Sequence, residues 1–375
     1  MTVIRRLATV VPMDSRERTF LALDFEEPDR VPIDLWMSSG FERRVAAELG
    51  KSRAQLLDEL DVDLRYIEGP GYVGPPLRQL GGGVDEDLWG VRRQRVTVPA
   101  GQGWEAYHEV AWSPLAACRT VEEVEAYAHW PSPDWFDYGD VARQCRAVRE
   151  AGRVAVFMGD RLNRVAQLKP AMYLRGVEQI LVDMAEAPEL AAAIIGRIRR
   201  FYEGYAERLY EAAGGGLDLL LMGDDFGAQT GPLVSPRMWQ TFLQAGFAAY
   251  AGQARARGVR VMHHTCGAVQ PLIPLMLDSG LEVLQSLQPE AADMEPATLK
   301  SRFGDRLAFH GGISIQRTLP FGTPAQVRSA VRRCVEALAP GGGYILGTSH
   351  NLQADTPLAN AQALWAAYRE YGTYA

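Results

Sequence analysis

His264 and Cys266 stand two residues apart at the end of an apolar run, Val259 to Gly267, which reads Val-Arg-Val-Met-His-His-Thr-Cys-Gly. On a strand, residues i and i+2 share a face, about 6–7 Å apart along the chain. An imidazole and a thiolate that converge at a strand end form half of a zinc-type site. The same spacing also suits a buried histidine beside an ordinary buried cysteine, so context has to decide. Other reactive side chains fall at the ends of apolar runs: Trp36; Asp63, Tyr66 and Glu68, with Tyr72 just beyond; Asp160 and Arg161; Asp224 and Asp225; Gln285; His310; His350. One Asp after a strand is usually a helix cap, and one His is usually a satisfied core residue. Repetition at six such ends argues instead for an acidic, metal-capable pocket. In it Asp63, Asp160, Asp224, Asp225 and His350 are the candidates for chemistry. Trp36, Tyr66, Glu68, Tyr72, Arg161, Gln285 and His310 are the candidates for binding substrate.

The elements that must position these groups alternate. Strand-like runs at 31–37, 62–67, 154–158, 217–222, 259–264, 281–286, 307–310 and 344–347 are separated by helical patterns. Eight βα units predict a single (β/α)8 barrel over residues 1–375, which collects its site at the carboxyl ends of the strands. A doubly wound sheet is the competing arrangement. Two segments depart from the rhythm. A helical stretch at about 13–27 precedes the barrel, and β-type residues at about 85–112 read as an inserted hairpin. Its Trp89, Trp104, Tyr107 and Trp112 are expected to give the barrel mouth an aromatic surface. Gly311-Gly312 and Gly341-Gly342-Gly343 suit either a phosphate cradle or tight turns.

Composition excludes several classes. A net charge of −7, with a pI near 5.5, leaves no basic footprint for nucleic acid. No apolar run is long enough to span a bilayer. The first residues lack the apolar core and cleavage site of a signal peptide, so a cytoplasmic protein is expected. Four unpaired cysteines, Cys118, Cys145, Cys266 and Cys334, fit a reducing compartment. Only Cys266 has a suggestive partner.

Several motifs resemble the uroporphyrinogen decarboxylase superfamily from Met13 onward: Arg16-Glu17-Arg18 with Glu27-Pro28-Asp29-Arg30-Val31-Pro32; Gly223-Asp224-Asp225; His264-Thr265-Cys266-Gly267; Gly311-Gly312-Ile313-Ser314-Ile315-Gln316; and Gly343-Tyr344-Ile345-Leu346 to His350, followed by Pro357 and Asn360. The resemblance implies a (β/α)8 barrel. It does not favour the decarboxylases themselves, whose N-terminal arginines are missing from Asp34 to Gly40. The His-x-Cys-Gly segment is similar instead to the zinc-dependent corrinoid methyltransferases of the superfamily, including O-demethylase components. That likeness implies zinc on His264 and Cys266. It also implies a corrinoid carried by a partner protein, a small-molecule methyl donor such as a methyl ether, or a thiol acceptor. The family's later cysteine is replaced here by Ser349-His350. His350 is therefore the first choice for the third ligand, with Asp225 and Glu68 as alternatives. A homodimer also fits the superfamily. Two rival readings remain: a metal-independent decarboxylase using Asp63 and His350, and a non-catalytic tetrapyrrole- or corrinoid-binding protein.

Overall fold

The computed structural model describes residues 13–374 apart from 102 and 161–163. Seven parallel strands lie in sequential order: β1 (Leu64–Ile67), β2 (Val154–Phe157), β3 (Leu219–Gly223), β4 (Arg260–His264), β5 (Val283–Leu287), β6 (Ala308–Ile313) and β7 (Tyr344–Thr348). β2, β3, β5, β6 and β7 are buried along their whole length, because helices cover the outside and side chains fill the inside. The two-residue alternation of a strand sorts the apolar residues. Leu64, Val154, Val156, Leu219, Leu221, Met262, Val283, Ala308 and Ile345 pack with one another in the barrel lumen. Leu220, Met222, Val261, Leu284, Phe309 and Leu346 face the helical layer.

The eighth stave is the extended segment 31–37. It lies between β7 and β1 through Asp34 N–H to Leu346 O (2.9 Å), Leu346 N–H to Pro32 O (2.8 Å) and Asp63 N–H to Ile33 O (2.9 Å). It forms isolated parallel bridges, Ile33 with Leu346 and Met37 with Leu352, rather than the regular strand expected there. Pro32 has no N–H to offer the ladder, and the Ile33 N–H donates to the Asp63 carboxylate at 2.7 Å. These connections complete a (β/α)8 barrel.

The amino-terminal end of the barrel is closed by an ion cluster. The helix Ser15–Leu23, capped by Asp14, carries Arg18 to the fully buried Asp63 at 2.7 Å, and Arg30 reaches the same carboxylate at 2.7 Å. Breaking such a buried pair from one side costs about 3–5 kcal/mol. The three glycines before β7 belong to this end as well. Gly342 has φ +74°, and a Cβ there would lie 2.6 Å from the Glu26 carbonyl oxygen. Gly341 N–H donates to Glu27 and Gly343 N–H to Ala22 O. They are tight turns seating the first helix, away from the strand ends where a phosphate would bind.

The insertion between β1 and β2 is larger than a hairpin. Four antiparallel strands, Gln79–Gly81, Val84–Glu86, Arg92–Ala100 and Gly103–Trp112, form a separate sheet. Its last strand lies against the rim of the barrel. There Glu105 accepts from Ala354 N (2.9 Å), Gly40 N (3.3 Å) and the Ser38 hydroxyl. The insertion is thereby tied to the eighth stave and to the loop after β7.

Candidate metal centre

β4 points Met262 and His264 into the barrel and His263 outward, where its ring stacks on Phe226 at 5.0 Å. The strand ends at His264, so Cys266 is not brought round by strand alternation as the spacing had suggested. A pinned loop returns it instead. Thr265 N–H donates to Gln285 O (2.6 Å), Cys266 N–H to Asp225 Oδ1 (3.2 Å) and Gly267 N–H to Gln288 Oε1 (2.9 Å). Cys266 Sγ then lies 3.5 Å from His264 Nε2. The loop after β7 supplies the third group. Ser349, at the place of the family's later cysteine, is taken up by its neighbours: its N–H donates to Ile313 O, its carbonyl accepts from Ser286 Oγ and its hydroxyl accepts from Ile315 N. His350 turns toward the site. The ligand atoms of His264, Cys266 and His350 all lie within 4.8 Å of one another.

The protonation states suit a cation. Gln285, fully buried, faces His264 Nδ1 with its Oε1 at 2.5 Å. An amide oxygen only accepts, so the proton sits on Nδ1 and the Nε2 lone pair faces the cluster, as an orienting partner of a metal-bound histidine requires. Burial holds His264 well below the usual histidine range, with Asp225 opposing and His350 reinforcing. The imidazole is therefore neutral, the form that ligates. Burial likewise pushes the Cys266 thiol up to about 12, with Asp225 adding to it and Lys169 opposing. A bound divalent ion displaces that proton. Donor set, spacing and tautomer together would suit a zinc-type ion held by His264, Cys266 and His350.

Around the cluster, Asp225 Oδ1 is 3.6 Å from His264 Nε2, and its other oxygen pairs with Lys169. Burial alone would raise this carboxyl, but Lys169 and the Cys266 N–H hold it well below the usual carboxylate range. Trp36 forms a wall, its ring stacked on His264 at 5.8 Å and edge-on to His350 at 6.1 Å. A buried relay fixes that ring: Trp36 Nε1–H donates to Tyr66 Oη (2.8 Å), Tyr66 Oη–H to Asp34 Oδ2 (2.5 Å), and His310 Nε2 meets the same oxygen at 2.8 Å. A cavity of about 610 Å³ opens above, lined by Trp36, Tyr66, Glu68, Met158, Arg164, Lys169, His264 and His350 among others. A second, of about 850 Å³, lies between the insertion and the rim and also reaches His350, with Met37, Glu105, Tyr107 and Phe321 on its walls.

The family model of uroporphyrinogen decarboxylase (URO-D) matches residues 121–371, more than half of the chain. The chain belongs to that family. A curated relative, the methylated-thiol–coenzyme M methyltransferase of Methanosarcina mazei, is 24% identical over 238 residues, 60% of each chain. The chain thus spans about 60% of the length of the curated relative it matches. Among solved structures, a methyltransferase from Methanosarcina mazei superposes with a TM-score of 0.67 at 19% identity, covering 96% of this chain and 99% of that one. At that identity the likeness is one of fold.

Not every candidate residue of this URO-D family chain converges on the cluster. Trp36, Tyr66, Glu68, Asp225, Gln285, His310 and His350 surround it or lie in the layer beneath. Asp63 does not: it precedes β1, at the opposite end of the barrel, and both its oxygens are taken by Arg18 and Arg30. Asp224 is also corrected to a helix cap. It accepts from Gln167 N (2.7 Å) and Lys169 N (2.6 Å) at the start of the helix Leu168–Arg175, and burial pushes its carboxyl up to about 7 against those donors. Asp160 lines a separate cavity of about 500 Å³ beneath the insertion, with Asp85, Arg93 and His108. Tyr72 donates to Pro75 O at 2.7 Å and packs on Trp135 and Phe136, off the cluster. Arg161 lies outside the described residues. Of the insertion's aromatics only Tyr107 lines the mouth, since Trp89 packs inward on Phe201 and Trp104 and Trp112 face solvent.

Arg164 and Lys169 escaped the sequence reading because one lies in the loop after β2 and the other in the first turn of the helix Leu168–Arg175, where no periodicity marks either. Asp34 was legible, since it shares the inward parity of Trp36. Nor is the pocket acidic as expected: among the described residues lining the 610 Å³ cavity, Arg53, Arg65, Arg164 and Lys169 face one carboxylate, Glu68.

Proposed function

We propose that this chain is a zinc-dependent methyltransferase, moving a methyl group between a small-molecule donor, such as a methyl ether or methylated thiol, and a thiol or corrinoid-protein acceptor. The observation that carries this reading is the His264, Cys266 and His350 cluster, three N and S donors within 4.8 Å at the carboxyl end of the barrel. The methyltransferase names of the curated relative and of the superposing structure support it. In this reading the three side chains hold zinc, which supplies Lewis acidity, lowering the pKa of a thiol or polarising an ether oxygen. Gln285 keeps the His264 lone pair aimed at the ion. Lys169 holds Asp225 ionised 3.6 Å from His264, where the carboxylate can orient a ligand or accept its proton. Trp36 and the insertion exclude water from two sides. The corrinoid stays on a partner protein and approaches through the mouth between insertion and rim. A metal-independent decarboxylase finds less support, because Asp63, the acid it drew on, is committed at the other end of the barrel.

Metal analysis of protein purified without chelator tests the reading. About one zinc per chain is expected, lost in His264→Ala and Cys266→Ala with circular dichroism unchanged. A folded, metal-free wild-type chain that cannot be loaded with zinc would refute it.

A further inference from the structure

Arg164 has no assigned role, yet it occupies the face on which the cluster is built. Gly223 is the register partner of His264 on the neighbouring strand, and paired residues of parallel strands point to the same side. A Cβ at Gly223 would lie 2.5 Å from Arg164 Cδ and 3.3 Å from its Nη1. The guanidinium therefore fills the side-chain space beside the His264 imidazole, and the glycine is what makes room for it. Arg164 also lines the 610 Å³ cavity together with His264 and His350.

The other cations of that cavity are engaged: Arg53 with Glu42 at 3.2 Å, Arg65 with Asp58 at 2.9 Å, and Lys169 with Asp225. Arg164 has no ion pair within contact distance among the described residues, and its Nε is buried without a hydrogen-bond partner. Burial weighs against its charge, and Asp225 and Asp160 offset this only through space. A guanidinium kept charged but unmatched is costly, unless a ligand completes it. Its planar fork matches a carboxylate or sulfonate.

From this we propose that Arg164 is an oxyanion subsite, and that the small molecule presenting its sulfur or oxygen to the cluster carries an anionic head group which the guanidinium receives. The assignment of head group and reacting atom rests on the zinc reading above; the anion preference itself does not.

The test is calorimetric titration of zinc-loaded protein with 3-mercaptopropionate and with its uncharged counterpart 3-mercapto-1-propanol. A charge-assisted pair predicts that the carboxylate thiol binds on the order of ten- to a hundred-fold more tightly, and that Arg164→Gln abolishes the preference. Arg164→Lys keeps the charge but not the fork, so a preference weakened several-fold is expected there, which covers the case of a Gln variant that does not fold. Equal binding by wild type, or a preference unchanged in either variant, overturns the proposal. Butyrate against 1-butanol separates the two readings. A preference for butyrate in protein that holds no zinc leaves the subsite standing and the methyltransferase reading refuted. Zinc-bound protein indifferent to charge does the reverse.

Discussion

Gln285 gives the sharpest separation of metal binding from folding. Its Oε1 lies 2.5 Å from His264 Nδ1, and its own Nε2 is buried without a partner. Replacement by leucine removes both. For the fold, the lost hydrogen bond is worth about 0.5–1.5 kcal/mol, while the buried orphan donor that also disappears costs about 1–3 kcal/mol. The two offset one another, so metal-free Gln285→Leu is expected to melt close to metal-free wild type. For the metal, nothing offsets the loss: the imidazole becomes free to rotate and to place its proton on Nε2, the nitrogen that faces Cys266. Removal of such an orienting partner typically weakens a site about ten- to a hundred-fold, or roughly 1.4–2.8 kcal/mol. Competition against a chromophoric chelator measures the affinity, with melting in EDTA run in parallel. Gln285→Glu, which retains an acceptor, should hold zinc at least as well as wild type. If Gln285→Leu retains zinc within about two-fold of wild type, Gln285 does not set the tautomer and the reasoning from protonation to ligation is wrong.

Glu105 should act on the same site from the insertion. Glu105→Ala frees Ala354, Gly40 and Ser38, loosening the loop that presents His350, and a several-fold drop in zinc affinity by the same competition is expected. Glu105→Gln keeps an oxygen for Ala354 and Ser38 and should recover most of it, whereas equal affinity in the alanine variant would detach the insertion from the metal. At the other end of the barrel, Asp29 and Asp61 are partly buried, yet Arg18 and Arg30 with Arg153 hold their carboxyls below the usual range. Folded values below unfolded ones mean that the stability they contribute is complete above about pH 4 and is lost as pH falls below it. Urea unfolding between pH 3 and 7 should therefore show a loss of stability below about pH 4 that is smaller in Asp29→Asn; an identical acid profile in that variant would show that the pair does not set it.

The barrel was legible because its cause is local. Apolar runs of strand length, separated by helical patterns, need only the two-residue and 3.6-residue periods to be read, and parity alone puts Trp36, Tyr66, Met262 and His264 on the inner face. Which end of a strand a residue occupies was harder. Asp63 looked like a strand-end acid, but its partners Arg18 and Arg30 lie 45 and 33 residues upstream, and no local pattern announces a pairing across that distance. Asp224 and Asp225 show the same limit at shorter range. Neighbours in sequence, they part company because the helix Leu168–Arg175 begins where one of them can cap it, and the other is left to Lys169.

The sign of the pocket follows from the same distinction between residues present and charges left over. Counting carboxylates at strand ends suggested an acidic site. Asp63 is neutralised by two arginines and Asp225 by Lys169, while Asp224 is spent capping a helix, its carboxyl raised to about 7 by burial. Among the described residues lining that pocket, Arg164 is left without an ion pair, its Nε buried without a hydrogen-bond partner, while the ligand atoms of His264, Cys266 and His350 lie within 4.8 Å of one another. A buried group with its partners in place is structure, whereas one without them is held ready for a ligand. A cation without an ion pair and a set of metal donors thus share one face, which is the arrangement expected of a site that binds a metal and an anionic molecule side by side.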